Sequence, residues 1–209
     1  MRTFIALLIP MFLAGCEYNE EGHYDAHTPP ERYYEGGGMA VNSEMTTYFP
    51  LRQGESWTYG GSGNEYAAFS RQVIARDGNE VHVRESNAGA IIDKVYRVDD
   101  RAVTLVYSAE GYDAKSPLRM RANRDQVILQ SPLLAGNQWS NGDEIRRVVN
   151  TSARVETPGG IYENCLEIEA RVAGTNATTT ELYASGIGLV QRVFQSGDST
   201  VFSYLQQHQ

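Results

Sequence analysis

The feature that most limits what this sequence can fold into is an alternation of apolar and polar side chains at every second residue. The clearest case is the run 166–172, in which four apolar residues alternate with two glutamates and an arginine. Successive side chains of a β-strand point to opposite faces, so this pattern predicts a strand with one buried face. Comparable but less regular runs lie at 57–59, 81–83, 92–98, 103–107, 145–149, 189–194 and 201–205.

Turn-forming residues separate several of these runs, and no segment sustains a helical period. Glycine, asparagine, aspartate and proline occur together at 77–79, 141–142, 158–160 and 197–198, where they favour the backbone conformations of tight turns. Residues 109–125 fit a loop or a short helix. Strands at this spacing predict an all-β fold, an antiparallel curved sheet arranged as an open barrel or a sandwich.

A short motif occurs twice in the predicted β region. The pattern Pro-Leu-x-x-Gly-x-x-Trp lies at 50–57 and again at 132–139, 82 residues later, and it includes both tryptophans of the chain. In each copy, proline restricts the backbone that leads into the strand, glycine allows a tight turn, and tryptophan takes the first inward-facing position of the strand. We interpret the motif as the start of two structurally related halves, about 48–130 and 131–205. The alternative is one turn type used twice without common ancestry.

The first fifteen residues have the layout of a secretory signal peptide. Arg2 precedes an apolar stretch at 4–13, and Ala14 and Gly15 provide the small residues of a cleavage site. This stretch is much shorter than the roughly 20 apolar residues that a membrane-spanning helix needs. A transmembrane helix is therefore disfavoured, and an ordinary signal peptide followed by a chance cysteine is the other alternative.

Residues 13–16, Leu-Ala-Gly-Cys, resemble the lipobox of bacterial lipoproteins. The resemblance implies cleavage before Cys16, diacylglycerol on its thiol and a fatty acyl chain such as palmitate on its new amino group. Two or three acyl chains hold a protein on a membrane, whereas one chain binds reversibly. The predicted location is extracytoplasmic and lipid-anchored to a bacterial membrane, and Glu17 leaves the choice between inner and outer membrane open.

The predicted domain organisation has three parts. Residues 1–15 form the cleaved signal peptide, and residues 16–47 form the lipidated cysteine and a flexible tether rich in proline, glycine and charge. Residues 48–209 form the antiparallel β domain. Cys165 is the second of two cysteines, so no intramolecular disulfide is expected in the mature chain. We interpret Cys165 as a packed residue at a strand entry rather than a reactive thiol.

The charge of the chain excludes one class of partner and limits another. The formal net charge is −8, and loss of Arg2 leaves 17 basic against 26 acidic residues in the mature chain. Scattered arginines form no basic stripe, which argues against nucleic acid as a partner and against adhesion of the protein surface to anionic lipids. The lipid on Cys16 is therefore the predicted contact with the membrane.

Three segments together resemble a widespread bacterial lipoprotein β domain that has no settled activity. They are Tyr-Phe-Pro-Leu-x-x-Gly-x-x-Trp-x-Tyr at 48–59, Thr-Pro-Gly-Gly-Ile-Tyr-Glu-Asn-Cys at 157–165 and Tyr-Ala-Ser-Gly-Ile-Gly-Leu-Val at 183–190. Members of that family usually carry alanine at position 159 and valine at 187, where this chain has glycine and isoleucine. The resemblance covers about 48–205 and implies an extracytoplasmic β domain. It implies no catalytic residues.

The candidate catalytic and metal-binding groups are weak. His23, Asp25 and His27 lie in the predicted tether, where no rigid element would hold a coordination geometry. The nucleophile-elbow and phosphate-loop motifs are absent from the sequence. Glu167 and Glu169 would share a strand face, but that face is opposite the apolar one and is expected in solvent. The sequence predicts no catalytic residue, no metal site, no cofactor and no enzyme.

The aromatic residues provide the remaining candidate site. We predict that Trp57, Tyr59, Trp139 and Tyr183 line an apolar groove of a curved sheet, with tryptophans as core anchors as the alternative. The predicted function is a non-enzymatic binding or envelope-assembly module for a protein, a glycan or a lipid. The alternative function is a carrier or chaperone for a lipid or other apolar ligand, similar to the LolA/LolB type by architecture only.

Overall fold

The computed structural model describes residues 43–111 and 117–209. The predicted signal peptide, the lipidation site Cys16 and the tether residues His23, Asp25 and His27 lie outside these residues. Neither helical segment of the described chain has the length and hydropathy of a helix that crosses a bilayer.

The described residues contain twelve strands, one short α-helix and one 3₁₀ turn, so the predicted all-β fold is confirmed. The elements are α1 (Glu44–Tyr48), β1 (Ser56–Ser62), β2 (Phe69–Asp77), β3 (Glu80–Ser86), β4 (Ile91–Val98), β5 (Ala102–Glu110), the 3₁₀ turn (Pro117–Arg119), β6 (Gln126–Gln130), β7 (Gln138–Asn141), β8 (Glu144–Thr157), β9 (Gly160–Val172), β10 (Thr178–Ala184), β11 (Gly188–Ser196) and β12 (Ser199–His208). The turns expected at 77–79, 141–142, 158–160 and 197–198 all lie at or between strand ends.

The twelve described strands form one antiparallel sheet that is nearly closed into a barrel. Almost every strand pairs with its neighbours in sequence, and β1 pairs with β12, so the two ends of the described β region lie side by side. The sheet begins at β6 and ends at β7. We call the gap between these two strands the seam.

Side chains rather than backbone pairing connect the two sides of the seam. The amide of Asn141 in β7 accepts a hydrogen bond from the backbone N–H of Val127 in β6 at 2.9 Å and donates to its carbonyl at 3.0 Å. The Nε1 atom of Trp139 donates to the same carbonyl at 2.9 Å. These bonds satisfy backbone groups that an open sheet edge would leave unpaired.

The repeated motif adopts the same local conformation in both copies. Gly54 and Gly136 have φ angles of 87° and 93°, a region that favours glycine. Each donates its N–H to a carbonyl on the second strand after it, Gly54 to Val73 of β2 at 3.1 Å and Gly136 to Val148 of β8 at 2.8 Å. Within the described chain, the first copy precedes the six strands β1–β6 and the second precedes β7–β12. Each copy of the motif therefore begins a set of six strands, and the relation between the two halves stays a prediction.

Helix α1 contributes to the core, although the sequence assigned residues 44–47 to the tether. Ser43 caps the helix, and its side chain and that of Thr46 bond reciprocally to each other's backbone N–H groups. Met45 is fully buried and Phe49 is 3% exposed. Phe49 follows the last helical residue and donates its N–H to Met45 O at 2.8 Å, so the short helix and its C-terminal cap direct both side chains into the core. The ring centroid of Phe49 lies 5.1 Å from that of Tyr96.

Cys165 is fully buried, as expected for a packed residue, although strand alternation places it on the same face as Glu167. Its neighbour Asn164 has a φ of 53°, and the pairing of β8 with β9 shifts register on both sides of the Ala153–Cys165 pair. A bulge of this kind interrupts the alternation of faces. Cys165 and Leu166 can therefore both be buried although they are adjacent in sequence.

Candidate ligand site at one end of the barrel

A buried ion cluster in the second half of the barrel is centred on Glu181 of β10. The Glu181 carboxylate is 7% exposed and accepts hydrogen bonds from Arg146 Nη2, from Arg192 Nε at 2.9 Å and from the Tyr183 hydroxyl at 2.8 Å. Burial alone would raise the pKa of this carboxyl, but Arg146 and Arg192 outweigh burial and lower the pKa well below its usual range. Glu181 is therefore an anion at neutral pH.

A matching cluster in the first half is centred on Glu85 of β3. Its Oε1 atom accepts from Arg71 Nε at 3.1 Å and Nη2 at 2.9 Å, and its Oε2 atom accepts from Lys94 Nζ. The same Nη2 atom donates to the Tyr96 hydroxyl at 3.1 Å. Burial would raise the pKa of the Glu85 carboxyl, but Lys94 and Arg71 lower it to about 2.

The two clusters occupy related positions in the two halves. Arg71 lies opposite Trp57 in the β1–β2 pair, and Arg146 lies opposite Trp139 in the β7–β8 pair. The two tyrosines come from β4 and β10, the fourth strand of each half. Each half thus places an arginine, a glutamate, a tyrosine and a second cation together. We call the six charged members of the two clusters the ionic layer: Arg71, Glu85, Lys94, Arg146, Glu181 and Arg192.

The ionic layer contains more cations than anions. It has four cations against two carboxylates, and Glu144 adds a third carboxylate 3.5 Å from Arg146 Nη1. A net positive charge therefore remains inside a chain whose net charge is −8. Among the buried side-chain nitrogens and oxygens of the described residues, Arg146 Nε is the one without a hydrogen-bond partner.

A cavity of about 240 Å³ lies next to the ionic layer. It opens at the end of the barrel that is formed by the turns 63–68, 87–90 and 197–198, and we call this end the mouth. Strand β1 begins near α1 and ends at the mouth. Glu85 and Arg192 contribute the charged part of its lining. The other lining residues are Asn64, Tyr66, Phe69, Ser86, Asn87, Ile92, Phe194, Val201 and Ser203.

The four aromatic residues predicted to line a groove are buried, and their polar atoms bind the protein. Trp57 is 3% exposed and donates to Ile187 O at 2.7 Å, and Tyr59 is 2% exposed and donates to Leu189 O at 2.8 Å. Trp139 and Tyr183 are 6% and 1% exposed. All four belong to the apolar core, and none of them lines the cavity at the mouth.

His82 lies between Val81 and Val83, where alternation predicts the polar face of a strand, yet it is 4% exposed. Its Nε2 atom lies 2.8 Å from Asp93 Oδ1, and Arg84 Nε donates to the same oxygen at 2.8 Å. The 3₁₀ turn contacts β3 and β4, which carry these residues. Residues 43–111 and 117–209 hold no group of three or more histidine, cysteine, aspartate or glutamate side chains that could bind a metal ion.

Sequence reasoning missed the ionic layer, although two signals pointed towards it. Lys94 lies between Ile92 and Tyr96 at the inward positions of β4, and Arg146 alternates with outward-facing Ile145, which is 46% exposed. Charged residues at inward positions are unusual unless they are paired. The alternation of strand faces does not identify the partner of Arg146, because Arg146 and Glu181 are 35 residues apart in the sequence.

Comparison with known proteins shows similarity only to solved structures. No protein-family model matches the sequence, and no curated protein matches it. One similar structure is that of a Bacteroides fragilis protein described as exported and as having a YmcC-like fold, at 18% identity and a TM-score of 0.48, covering 78% of this chain and 99% of that chain. Another is a protein from Parabacteroides distasonis described as a lipoprotein, at 14% identity and a TM-score of 0.44, covering 78% of this chain and 98% of that chain.

Proposed function

We propose that this protein is a lipid-anchored extracytoplasmic lipoprotein whose β-barrel binds a small ligand, without chemical conversion, in the cavity at the mouth. The observation that carries the proposal is the cavity of about 240 Å³, which combines apolar side chains with a charged part of its lining. Concave sites with a mainly apolar lining and a few placed polar groups are typical of ligand-binding proteins. The sequence at 13–16 supports the anchor at Cys16.

The chemistry of the described side chains supports binding rather than catalysis. The pKa of the Glu85 carboxyl is about 2, so this group is a poor proton acceptor or donor near neutral pH. Burial raises the pKa of the Cys165 thiol, which disfavours the reactive thiolate. His82 is bound to Asp93 and does not line the cavity.

The alternative function, a carrier for a lipid, is supported by the apolar side chains of the cavity. Phe69, Ile92 and Val201 belong to its lining, and Phe194 is 38% exposed there. The volume, however, is below the roughly 300–1,000 Å³ that is typical for drug-sized ligands. One end of a lipid would fit this space, whereas a whole lipid would not. A glycan or an envelope protein as partner stays a prediction from the sequence.

The anchor and the cavity are tested separately. Cys16→Ser is expected to release the protein from the membrane fraction of the cells that express it, and retention in that fraction would contradict the lipid anchor. For the cavity, the mature chain 16–209 carrying Cys16→Ser is titrated with 1-octanol by amide NMR. Chemical-shift changes are expected around Ser86, Asn87 and Ser203, which line the cavity.

Matched tryptophan variants identify the binding place. Val201→Trp fills the cavity from β12 and is expected to abolish the shifts caused by octanol. Ile161→Trp adds the same side chain at a position that is 56% exposed and does not line the cavity, and it is expected to leave them unchanged. If neither octanol nor a charged eight-carbon analogue of it shifts the lining residues, or if Val201→Trp behaves like Ile161→Trp, the proposed function is wrong.

A further inference from the structure

Arg192 presents an unused hydrogen-bonding edge at the cavity. Among the described residues, its guanidinium bonds to Glu181 alone, through Nε at 2.9 Å. The terminal nitrogens Nη1 and Nη2 therefore keep four N–H donors without a partner in this part of the chain. The Arg192 side chain is 33% exposed and lines the cavity, so these donors lie in reach of a ligand.

The position of Arg192 is fixed on two sides. Glu181 holds Nε, and the Arg192 Cζ atom lies 5.9 Å from the centroid of the Phe69 ring, which also lines the cavity. A planar guanidinium held in this way loses little conformational entropy when its free edge binds a carboxylate or a phosphate. Arg192 is thus preorganised for an anionic group.

Glu85, the other charged residue of the cavity, repels an anion only weakly because cations compensate its charge. Both oxygens of Glu85 accept hydrogen bonds from cations, Oε1 from Arg71 and Oε2 from Lys94. The ionic layer as a whole has four cations against two carboxylates, or three when Glu144 is counted. An anionic ligand would bring this cluster closer to neutrality, which reduces the cost of its buried charge.

Two amide groups in the cavity lining add further donors. The side-chain oxygen of Asn64 accepts from Tyr66 N at 3.0 Å, and that of Asn87 accepts from Gly89 N and Ala90 N at 3.2 and 2.9 Å. Each amide therefore turns its oxygen to its own loop and leaves its NH₂ group available. Together with Arg192, the lining provides hydrogen-bond donors that suit an acceptor-rich head group.

We propose that the cavity binds a small amphipathic anion, with its carboxylate or phosphate head on the free edge of Arg192 and its apolar tail against Phe69, Ile92 and Phe194. The volume of about 240 Å³ holds roughly eight water-sized groups at ~30 Å³ each, which corresponds to a short-chain ligand or one end of a longer one. This inference rests on the proposed binding function and names its ligand class.

The test compares three eight-carbon ligands that have different head groups. Octanoate, octyl phosphate and 1-octanol are titrated against the mature chain carrying Cys16→Ser, by calorimetry and by amide NMR. A charged, two-pronged contact is expected to make octanoate or octyl phosphate bind at least about tenfold more tightly than octanol. The ratio of the two anions distinguishes a carboxylate head from a phosphate head.

Variants of Arg192 separate its charge from its shape, and octanol reports whether the cavity itself is intact. Arg192→Gln is expected to reduce the affinity for octanoate to that for octanol, and Arg192→Lys is expected to lie between. Arg154→Gln makes the same change of net charge at an arginine that is 55% exposed, and it is expected to have no effect. Continued binding of octanol by Arg192→Gln shows that the cavity is preserved.

Each outcome has a defined meaning. If octanol binds but neither anion binds more tightly, the anion proposal is wrong and the proposed binding function stands. If none of the three compounds binds, both are wrong. Equal loss of octanoate affinity in Arg192→Gln and Arg154→Gln would mean that net charge rather than the Arg192 edge attracts the anion, and this result would also overturn the proposal.

Discussion

Replacing Glu181 by glutamine is expected to destabilise the barrel by about 3–5 kcal/mol, the usual cost of removing one partner from a buried ion pair. The Glu181 and Arg146 side chains are 7% and 5% exposed. Glutamine keeps the size of the side chain but removes the negative charge that two arginines and the Tyr183 hydroxyl share. Arg146 would then be a buried cation whose remaining acidic partner is Glu144, at 3.5 Å.

The assay is equilibrium unfolding in urea at pH 7, followed by the fluorescence of Trp57 and Trp139, both buried in the core. The control variant is Glu163→Gln, which removes an acid from the ion pair with Arg154. That pair has an N–O distance of 2.7 Å, and its side chains are 55% and 61% exposed. Exposed pairs contribute about 0–1 kcal/mol, so the free energy of unfolding should hardly change in the control.

A double variant tests the reasoning further. Glu181→Leu with Arg146→Met replaces both buried charges by apolar groups and is expected to regain much of the stability that Glu181→Gln loses, because no unpaired charge is left at Arg146. Arg192 is 33% exposed and can be hydrated when Glu181 is absent. The reasoning is refuted if Glu181→Gln costs no more than Glu163→Gln in the same urea assay.

Three further predictions concern turns, pH and the free thiol. Gly54→Ala and Gly136→Ala should each lower the free energy of unfolding in urea by about 1–2 kcal/mol, because both glycines have positive φ angles although space for a Cβ is available. The control is Gly89→Ala, which has the same space without a positive φ and should leave the free energy of unfolding almost unchanged. The Glu85 carboxyl has a folded pKa of about 2 against an ordinary 4.5, so its contribution of about 3 kcal/mol is present above pH 4.5 and is lost as the pH falls towards 2. In Glu85→Gln, the free energy of unfolding should therefore depend less steeply on pH between pH 4.5 and 2. The fully buried Cys165 should react with a thiol reagent only after denaturation, and rapid labelling of the native protein would contradict its position in the core.

The fold class could be predicted from the sequence because strand alternation and turn chemistry are local. The run 166–172 shows its buried face directly, and the turns at 141–142 and 197–198 lie where glycine next to asparagine or aspartate allows a hairpin. The two copies of the motif, at 50–57 and 132–139, lead into β1 and β7. Cys165 is the exception: alternation places it on the same face as Glu167, but a bulge beside Asn164 turns its side chain into the core.

The candidate site could not be predicted in the same way. The alternation shows that Lys94 and Arg146 point inward, but it does not show which carboxylates they meet. Arg192 and Glu181 are 11 residues apart, and Arg146 and Glu181 are 35 apart. Arg192 lies opposite Glu181 in the β10–β11 pair, whereas Arg146 of β8 meets Glu181 of β10 across the intervening strand β9. The register of each strand pair, including its bulges, decides which side chains meet.

The sequence by itself determined the strands, the turns, the repeated entry motif and the lipobox-like segment that ends at Cys16, because each of these depends on residues that are near one another in the chain. Only the tertiary structure decided the closure of β1 on β12, the side-chain bonds across the seam and the ionic layer beside the cavity. The physical reason is that buried charges need partners. The pairing of distant strands supplies those partners, and it leaves the free edge of Arg192 at the mouth.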